Sequence, residues 1–563
     1  MKSRKIWIVF IIIAVVGVGF YSFTRDEKDF EILKNLDIYD SVIRELNMFY
    51  VDEIDPNKLV KTSIDDMLNS LDPYTNYISE DRIEDFRLMT TGEYGGIGAL
   101  ITKHDNKIII SEPYEGFPAQ KSGLKAGDVL LEVSGKSTEN MTTEDVSNLL
   151  KGSANKPVTV TYQRPDEKKP VTIDIVRERI SIPAVPYYGM LNDKTAYVRL
   201  TQFTEGCANE LKRALNELEK NKPESLVLDL RGNPGGLLME AVNIVNLFVP
   251  KGAEIVSTRG KVKQWDKVYR ATSSPVDTTI KIAVLVNRGS ASASEIVSGA
   301  IQDLDRGLIV GTRTFGKGLV QTTRDLSYKT QLKVTTAKYY IPSGRCIQAL
   351  DYSHRNADGS VGHIPDSLIT QFTTKIGRKV YDGGGIVPDI KIPGNEVSNL
   401  TLELVSKFLP FDFATKFARE NESIPSPEDF KITDDIYNQF VEFVKANNFK
   451  YESGSKDEFN ALVESAKKDK HYDQAKKEFD ALKAELEPDL DKDLQLFRDE
   501  LSELLKDEIV TRYYYQKGAI RAAIHDDKDI QKAIGELNSP TAYAAYFQPG
   551  RVIAMNNDND SDE

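Results

Sequence analysis

Two segments constrain this chain more than any others. Ser225–Leu230 reads as a continuous buried strand that breaks at once into Arg231-Gly232-Asn233-Pro234-Gly235-Gly236, and Met239–Val249 then reads as a helix. Ile282–Val286 repeats the pattern: it breaks into Gly289-Ser290-Ala291-Ser292-Ala293-Ser294-Glu295, and Ile296–Leu304 reads as a helix. A strand without polar alternation is buried on both faces, and strands alternating with helices build a largely parallel sheet. Leu308–Gly311 adds a third short strand. The stretch 182–394 is therefore read as an α/β core.

The rest of the 563 residues is too long for one domain and divides by pattern. In 28–90, Ile38, Val42, Ile43, Leu46 and Phe49 recur at helical spacing, and Asp72-Pro73-Tyr74 breaks the run. This predicts a helical lead-in. From 91 to 181 the pattern changes to short strands: Lys107–Ser111, Val129–Val133, Val158–Gln163 and Val171–Val176, with Thr142 capping a helix over Thr143–Leu150. From 395 to 550 the chain is helical and charged. Its stripes Phe459/Leu462/Val463, Phe479/Leu482/Leu486 and Phe497/Leu501/Leu504/Leu505 predict a bundle packed on itself or on the core. The tail 551–563 is acidic over Asn556–Glu563.

Ahead of all this, Lys2, Arg4 and Lys5 precede an apolar run from Ile6 to Phe23. As a helix the run spans roughly 27 Å, enough for a hydrocarbon core. The flanking charges orient the body of the chain outward. Residues 1–27 are read as a signal anchor, with a cleaved signal peptide as the alternative. The expected location is extracytoplasmic, on the periplasmic side, anchored to the cytoplasmic membrane. A net charge of −13 argues against nucleic-acid binding. Cys207 and Cys346 are far apart and form no CxxC, and the five histidines form no HExxH. No metal site and no cofactor is expected.

Three core segments could carry catalysis. The serines of 290–294 crowd a strand-to-helix junction, where a nucleophile is rigidly held beside helix N-terminal N–H groups that can stabilise an oxyanion. Taken alone, such serines would merely cap the helix, and the residues do not choose among Ser290, Ser292 and Ser294. Lys317, between Gly316 and Gly318, lacks the P-loop spacing. A lysine of this kind serves as a general base where burial lowers its pKa, and Gln321 would share its face if the segment were helical. Taken alone, an exposed lysine is the plainer reading. The turn Arg231–Gly236 permits close backbone approach and can present an N–H to an oxyanion, but it carries no nucleophile.

The "SGLKAGDVLLEVSGK" stretch at Ser122–Lys136 resembles the PDZ fold. The resemblance implies that Gly95-Gly96-Ile97-Gly98 binds a terminal carboxylate through backbone N–H groups, with the peptide adding a strand to the sheet edge. The whole set of motifs resembles the C-terminal processing peptidases, or tail-specific proteases. These are "LDPYTNYIS" at Leu71–Ser79, the PDZ core, "DLRGNPGG" at Asp229–Gly236, "GSASASE", "GTRTFGKGLVQ" and "GGIVPD" at Gly384–Asp389.

That resemblance implies Ser292 as nucleophile, Lys317 as general base and Gln321 as its support, with oxyanion donors from Gly235 or Gly236 and from Ala293. It implies a multidomain α+β protein: an N-terminal membrane helix, a helical lead-in, a PDZ β-domain, a crotonase-like α/β peptidase core and a helical C-terminal domain. The expected partners are proteins or peptides engaged by their C-termini, with a homodimer supported by the lead-in. Two departures stand out: a longer segment between Arg345 and Gly384, and the residues beyond Pro393. The alternatives are a catalytically silent PDZ scaffold, a chymotrypsin-like protease, which needs a His and Asp before a GxSGG serine, and an acyl-CoA enzyme of crotonase type, which would not carry an export segment and a PDZ domain.

Overall fold

The computed structural model describes residues 28–165, 167–356, 358–394, 397–451 and 454–553. The Ile6–Phe23 run and the acidic end lie outside them. Among the described residues no helix is long and apolar enough to cross a membrane.

The chain forms two compact units, one ending at Ile78 and including Thr323–Val334, the other holding the remainder. In the first unit the backbone is helical over 28–49 and again over Pro56–Asn69, which starts on an Asp55 cap. The break at Asp72 is a turn in which its Oδ1 accepts the N–H groups of Tyr74 and Thr75, both at 2.8 Å. The lead-in is not wholly helical. That turn redirects the chain into a short strand, Asn76–Ile78, antiparallel to Gln331–Lys333.

In the second unit, helix Ile83–Thr91 leads to an antiparallel sheet ordered Ala99–His104, Lys107–Pro113, Val129–Val133, Pro157–Gln163, Val171–Val176. Alternation buries Ile108, Ile110, Leu130, Val133, Val158 and Val160 in one core. The helix Thr143–Leu150 starts on a Thr142–Asp145 capping box and packs beside Ala99–His104, the edge strand.

The core sheet runs Tyr187–Met190, Thr195–Arg199, Ser225–Asp229, Lys281–Val286, Leu308–Gly311, Ile390–Lys391, and all pairs after the first are parallel. Each strand serves two faces. Ile282, Val284 and Val286 face a core shared with helices Cys207–Leu218, Leu238–Asn246 and Ala293–Asp303. Ala283 and Leu285, with Tyr197, Val227, Leu308 and Val310, face the other way, onto Ile524, Ile530, Ala533 and Leu537. Burying side chains of this size stabilises by about 1.5–3 kcal/mol each.

This changes the reading of the C-terminal region. Residues from Leu400 to Ala522 do build a bundle with its own core, including Phe413, Phe440, Leu501 and Leu505. The last helices, Lys528–Asn538 and Pro540–Ala545, instead complete the α/β core by covering its sheet. The i, i+3, i+7 stripe Ile530/Ala533/Leu537 is what docks there. The longer segment between Arg345 and Gly384 forms two hairpins, Leu350–Arg355 with Val361–His363 and Gln371–Thr373 with Lys379–Tyr381.

Candidate active site

Parallel pairing sets the site. Asp229 lies opposite Leu285, and Val286 opposite Gly311, so the three following loops leave the sheet at one end. The carboxyl ends of parallel strands are where open α/β sheets hold ligands.

The first two loops are stitched together. Ser290 Oγ donates to the Leu230 carbonyl and Ser294 Oγ to the Asn233 carbonyl, both at 2.8 Å. The Ala291 N–H donates to Asn233 O at 3.0 Å, and the Gly232 N–H to Asn287 Oδ1 at 2.8 Å. Ser290 and Ser294 are fully buried, whereas Ser292 between them is partly exposed. Ser292 sits at φ 56°, ψ −109°, immediately before helix Ala293–Asp303. A non-glycine residue there is strained, and such strain at a strand-to-helix turn is the geometry of a nucleophile elbow.

The third loop is tied to the second by Glu295, which is fully buried. Its Oε2 accepts the N–H groups of Ser292 (2.8 Å) and Lys317 (2.9 Å). Its Oε1 accepts Thr314 Oγ1 (2.6 Å) and the Gly316 N–H (2.7 Å). Burial pushes this carboxyl up to about 7, against the pull of those four donors. Buried Tyr339 donates to the Ser292 carbonyl at 3.1 Å. The structure thus brings the Ser292 and Lys317 backbones onto one carboxylate oxygen.

Gln321 does not share a helical face with Lys317. It lies on strand Leu319–Asp325, with its Nε2 donating to Thr335 Oγ1 at 3.2 Å on the neighbouring strand. The segment is extended because Val320, Thr322 and Thr323 favour a pleated surface.

The glycine turn divides its labour. The Gly235 N–H is engaged by Asn233 Oδ1 at 3.0 Å, so Gly235 is not an available oxyanion donor. Its contribution is steric. At φ 98°, a Cβ there would stand 2.6 Å from Ala291 O, 2.8 Å from Ala293 N and 2.9 Å from Ser292 Cβ. Among the described residues the N–H groups of Gly236 and Ala293 form no hydrogen bond.

Behind the turn, Asp229 is fully buried and accepts Tyr197 Oη (2.8 Å), Arg199 Nη1 (2.7 Å) and Arg231 Nη2 (2.7 Å). Burial alone would raise its carboxyl, but the two guanidiniums outweigh burial and hold it at about 2.

In the sheet domain, Glu93–Gly96 pairs with Glu178–Ser181. The carbonyls of Gly95, Ile97 and Gly98 accept from Gly152, Ala119 and Tyr114. The Tyr94 ring lies against Gly96, where a Cβ would come within 2.6 Å of it. Burial pushes the Tyr94 phenol up to about 12, although the backbone N–H groups of Ala99 and Gly98 are turned toward it.

Sequence reasoning assigned no role to Glu295, Tyr339, Asn233 or Arg199. For Glu295 a signal existed: Ser292-x-x-Glu295 is the spacing of a capping box.

Comparison with known proteins matches three family models: "Peptidase family S41" over residues 194–353, "PDZ domain" over 109–164, and "Probable PDZ-protease, C-terminal helical domain" over 400–537. A carboxy-terminal-processing protease of Bartonella bacilliformis is 40% identical over 344 residues, covering 60% of this chain and 76% of that protein. A CtpA-like serine protease of Staphylococcus aureus is 36% identical over 315 residues, covering 56% and 62%. Among solved structures, a photosystem II D1 C-terminal processing protease aligns over 62% of this chain and 91% of its own, with 29% identity and a TM-score of 0.34.

Proposed function

Since this chain belongs to peptidase family S41 and is a PDZ-containing serine peptidase, we propose that it processes or degrades extracytoplasmic proteins from their C-termini by a Ser–Lys mechanism. Ser292 is the nucleophile. Lys317, as the neutral amine, takes the Ser292 hydroxyl proton while Oγ attacks the substrate carbonyl. The negative charge that develops on that oxygen is met by the N–H groups of Gly236 and Ala293. Lys317 then returns the proton to the leaving amine. Water, deprotonated in turn by Lys317, hydrolyses the acyl-enzyme.

The observation that carries this reading is Glu295. One buried carboxylate accepts both the Ser292 and the Lys317 N–H, so nucleophile and base ride on a common support. The choice of Ser292 is supported by its neighbours, since Ser290 and Ser294 spend their hydroxyls on loop carbonyls. Gln321 is retained as a support for Lys317 that acts from a strand. The substrate C-terminus is taken as an added strand along Ala99–His104, with its carboxylate at Gly95–Gly98, as peptides add to PDZ domains generally.

The Ile6–Phe23 run holds the protein to the cytoplasmic membrane; protection of the body from protease in intact cells but not in spheroplasts is expected. The lead-in helix 28–49 leaves Phe30, Leu33, Val42 and Phe49 exposed. An isolated helix is marginal in water, and a second copy of the chain is the partner that supplies a matching face. Sedimentation should then give a dimer.

The test of the catalytic reading compares cleavage of an unstructured protein by the chain from Asp26 onward, as wild type, S292A and K317A. Wild-type cleavage, with none from two folded variants, supports the assignment. Equal cleavage by all three refutes it. If none cuts even with apolar C-terminal peptides added, the silent scaffold is the better reading.

A further inference from the structure

Helix Lys528–Asn538, which roofs the central sheet, reaches the glycine turn through its first residues. Helix Lys528–Asn538 begins on Asp527, whose Oδ1 caps it by accepting the N–H groups of Asp529 (2.9 Å) and Ile530 (3.0 Å). The same carboxylate takes Arg231 in bidentate fashion, Nη1 at 3.1 Å and Nη2 at 2.8 Å. Asp529 Oδ2 accepts Arg231 Nη1 at 3.0 Å.

Arg231 is the residue next to Gly232, and its side chain is 15% exposed. On its other side it holds Asp229 through Nε and Nη2. Its carbonyl accepts Arg199 Nη2 at 3.1 Å. Its guanidinium is thus clamped between the end of the Ser225–Asp229 strand and the start of a helix nearly three hundred positions later in the chain. Everything between Arg231 and Gly236 is short loop; the carbonyl that fixes Ser290 is that of Leu230, immediately before Arg231, and the one that fixes Ser294 is that of Asn233, within the loop.

We propose that Asp527 and Asp529 are positioning residues for the oxyanion turn, acting through Arg231, so that the start of helix Lys528–Asn538 is part of the catalytic apparatus. This rests on the peptidase reading for its kinetic consequence but not for its geometry. Asp229 alone fixes one side of the guanidinium; the two aspartates fix the other. Without them Arg231 keeps its strand partner but can swing, and the Gly232–Gly236 backbone follows. The contact acts on the backbone that donates to the oxyanion, so the loss falls on kcat and KM changes little.

Asn substitution separates this role from helix capping, because Asn caps as well as Asp while lacking the charge. Kinetics are measured for D527N, D529N and D527N/D529N, each with Arg231 intact and with R231K. Lysine cannot bridge several carboxylates as a guanidinium does. Hydrogen exchange of the 231–237 segment is measured in the same set. The double variant should lose about tenfold in kcat with KM within about twofold, and its Gly232, Asn233 and Gly235 amides should exchange faster. In the R231K background the aspartate changes should add less than about twofold.

Unchanged kcat and exchange in the double variant overturn the proposal. So does an equal loss in both backgrounds accompanied by a lower melting temperature, which is the signature of helix anchoring alone. If the wild type cuts nothing, the peptidase reading fails by itself. The exchange data then decide: faster exchange that depends on Arg231 upholds the positioning role, and no change refutes it.

Discussion

Replacing Glu295 by glutamine tests the shared support directly. The carboxylate receives four donors: Thr314 Oγ1 and Gly316 N on one oxygen, Ser292 N and Lys317 N on the other. An amide keeps one acceptor oxygen and turns the other into NH2. Facing Ser292 and Lys317, the NH2 would meet two N–H groups, neither of which can accept. Facing the other way, it meets Thr314 Oγ1, a hydroxyl that can reverse and accept, and Gly316 N, which cannot. The second orientation is therefore the one adopted; it leaves the buried Gly316 N–H unpaired and, because Thr314 Oγ1 already accepts the Ile386 N–H, strips the Thr314 hydroxyl hydrogen of its acceptor, at a cost of about 1–3 kcal/mol for each group. The Ser292 and Lys317 bonds survive on a neutral oxygen at about half their charge-assisted strength. E295Q should fold with a lowered melting temperature and lose roughly 10–100-fold in kcat, since small displacements of reacting groups are costly. The wild type should carry a second acid limb near pH 7, where Glu295 takes up its proton. On the proposed mechanism the general base must also be deprotonated, so log kcat falls more steeply in the wild type than in E295Q. Thermal unfolding and a pH series of kcat on an unstructured protein measure all three quantities. An E295Q enzyme with wild-type melting temperature, kcat and limb steepness would refute the reasoning.

The other expectations follow from single contacts. G235A puts a Cβ 2.6 Å from Ala291 O and should abolish cleavage even where circular dichroism still reports a folded chain, because the serine turn must shift. S290A and S294A each break a buried 2.8 Å bond to a loop carbonyl and should destabilise by about 1–3 kcal/mol in urea unfolding, whereas S292A should leave stability unchanged and remove activity. Asp229 is held at about 2 against an ordinary 3.8, so it contributes stability above about pH 4 that is lost as pH falls toward 2. That contribution amounts to about 2 kcal/mol. R199M should remove much of it, seen as a smaller fall in urea midpoint between pH 5 and pH 2.

Much of the core could be read from local pattern. Ser225–Asp229 and Lys281–Val286 are apolar on both sides because both faces are covered, and Leu308–Gly311 and Thr143–Leu150 lie where propensity and capping put them. The Lys317–Gln321 spacing misled, since i, i+4 implies a shared face only in a helix, and β-branched neighbours make this segment a strand. The glycine turn was legible as a turn, but which glycine N–H is engaged depends on the Asn233 side chain folding back onto Gly235, a tertiary detail. The three serines could not be ranked from sequence alone; that needed the carbonyls of a different loop. The Arg231–Asp527 contact joins positions too distant in the chain for any local pattern to link.

The second face of the central sheet has a consequence for how this enzyme comes into being. Tyr197, Val227, Ala283, Leu285, Leu308 and Val310 are covered by Ile524, Ile530, Ala533 and Leu537, which lie C-terminal to every strand of the sheet. The ribosome delivers the strands long before the helix that roofs them. Until that helix arrives, the sheet presents an uncovered apolar surface and Arg231 lacks two of its carboxylates. The order of synthesis therefore acts as a clock: a nascent chain holds every residue of the serine and lysine loops before the sheet is roofed and before Arg231 has its full set of carboxylates.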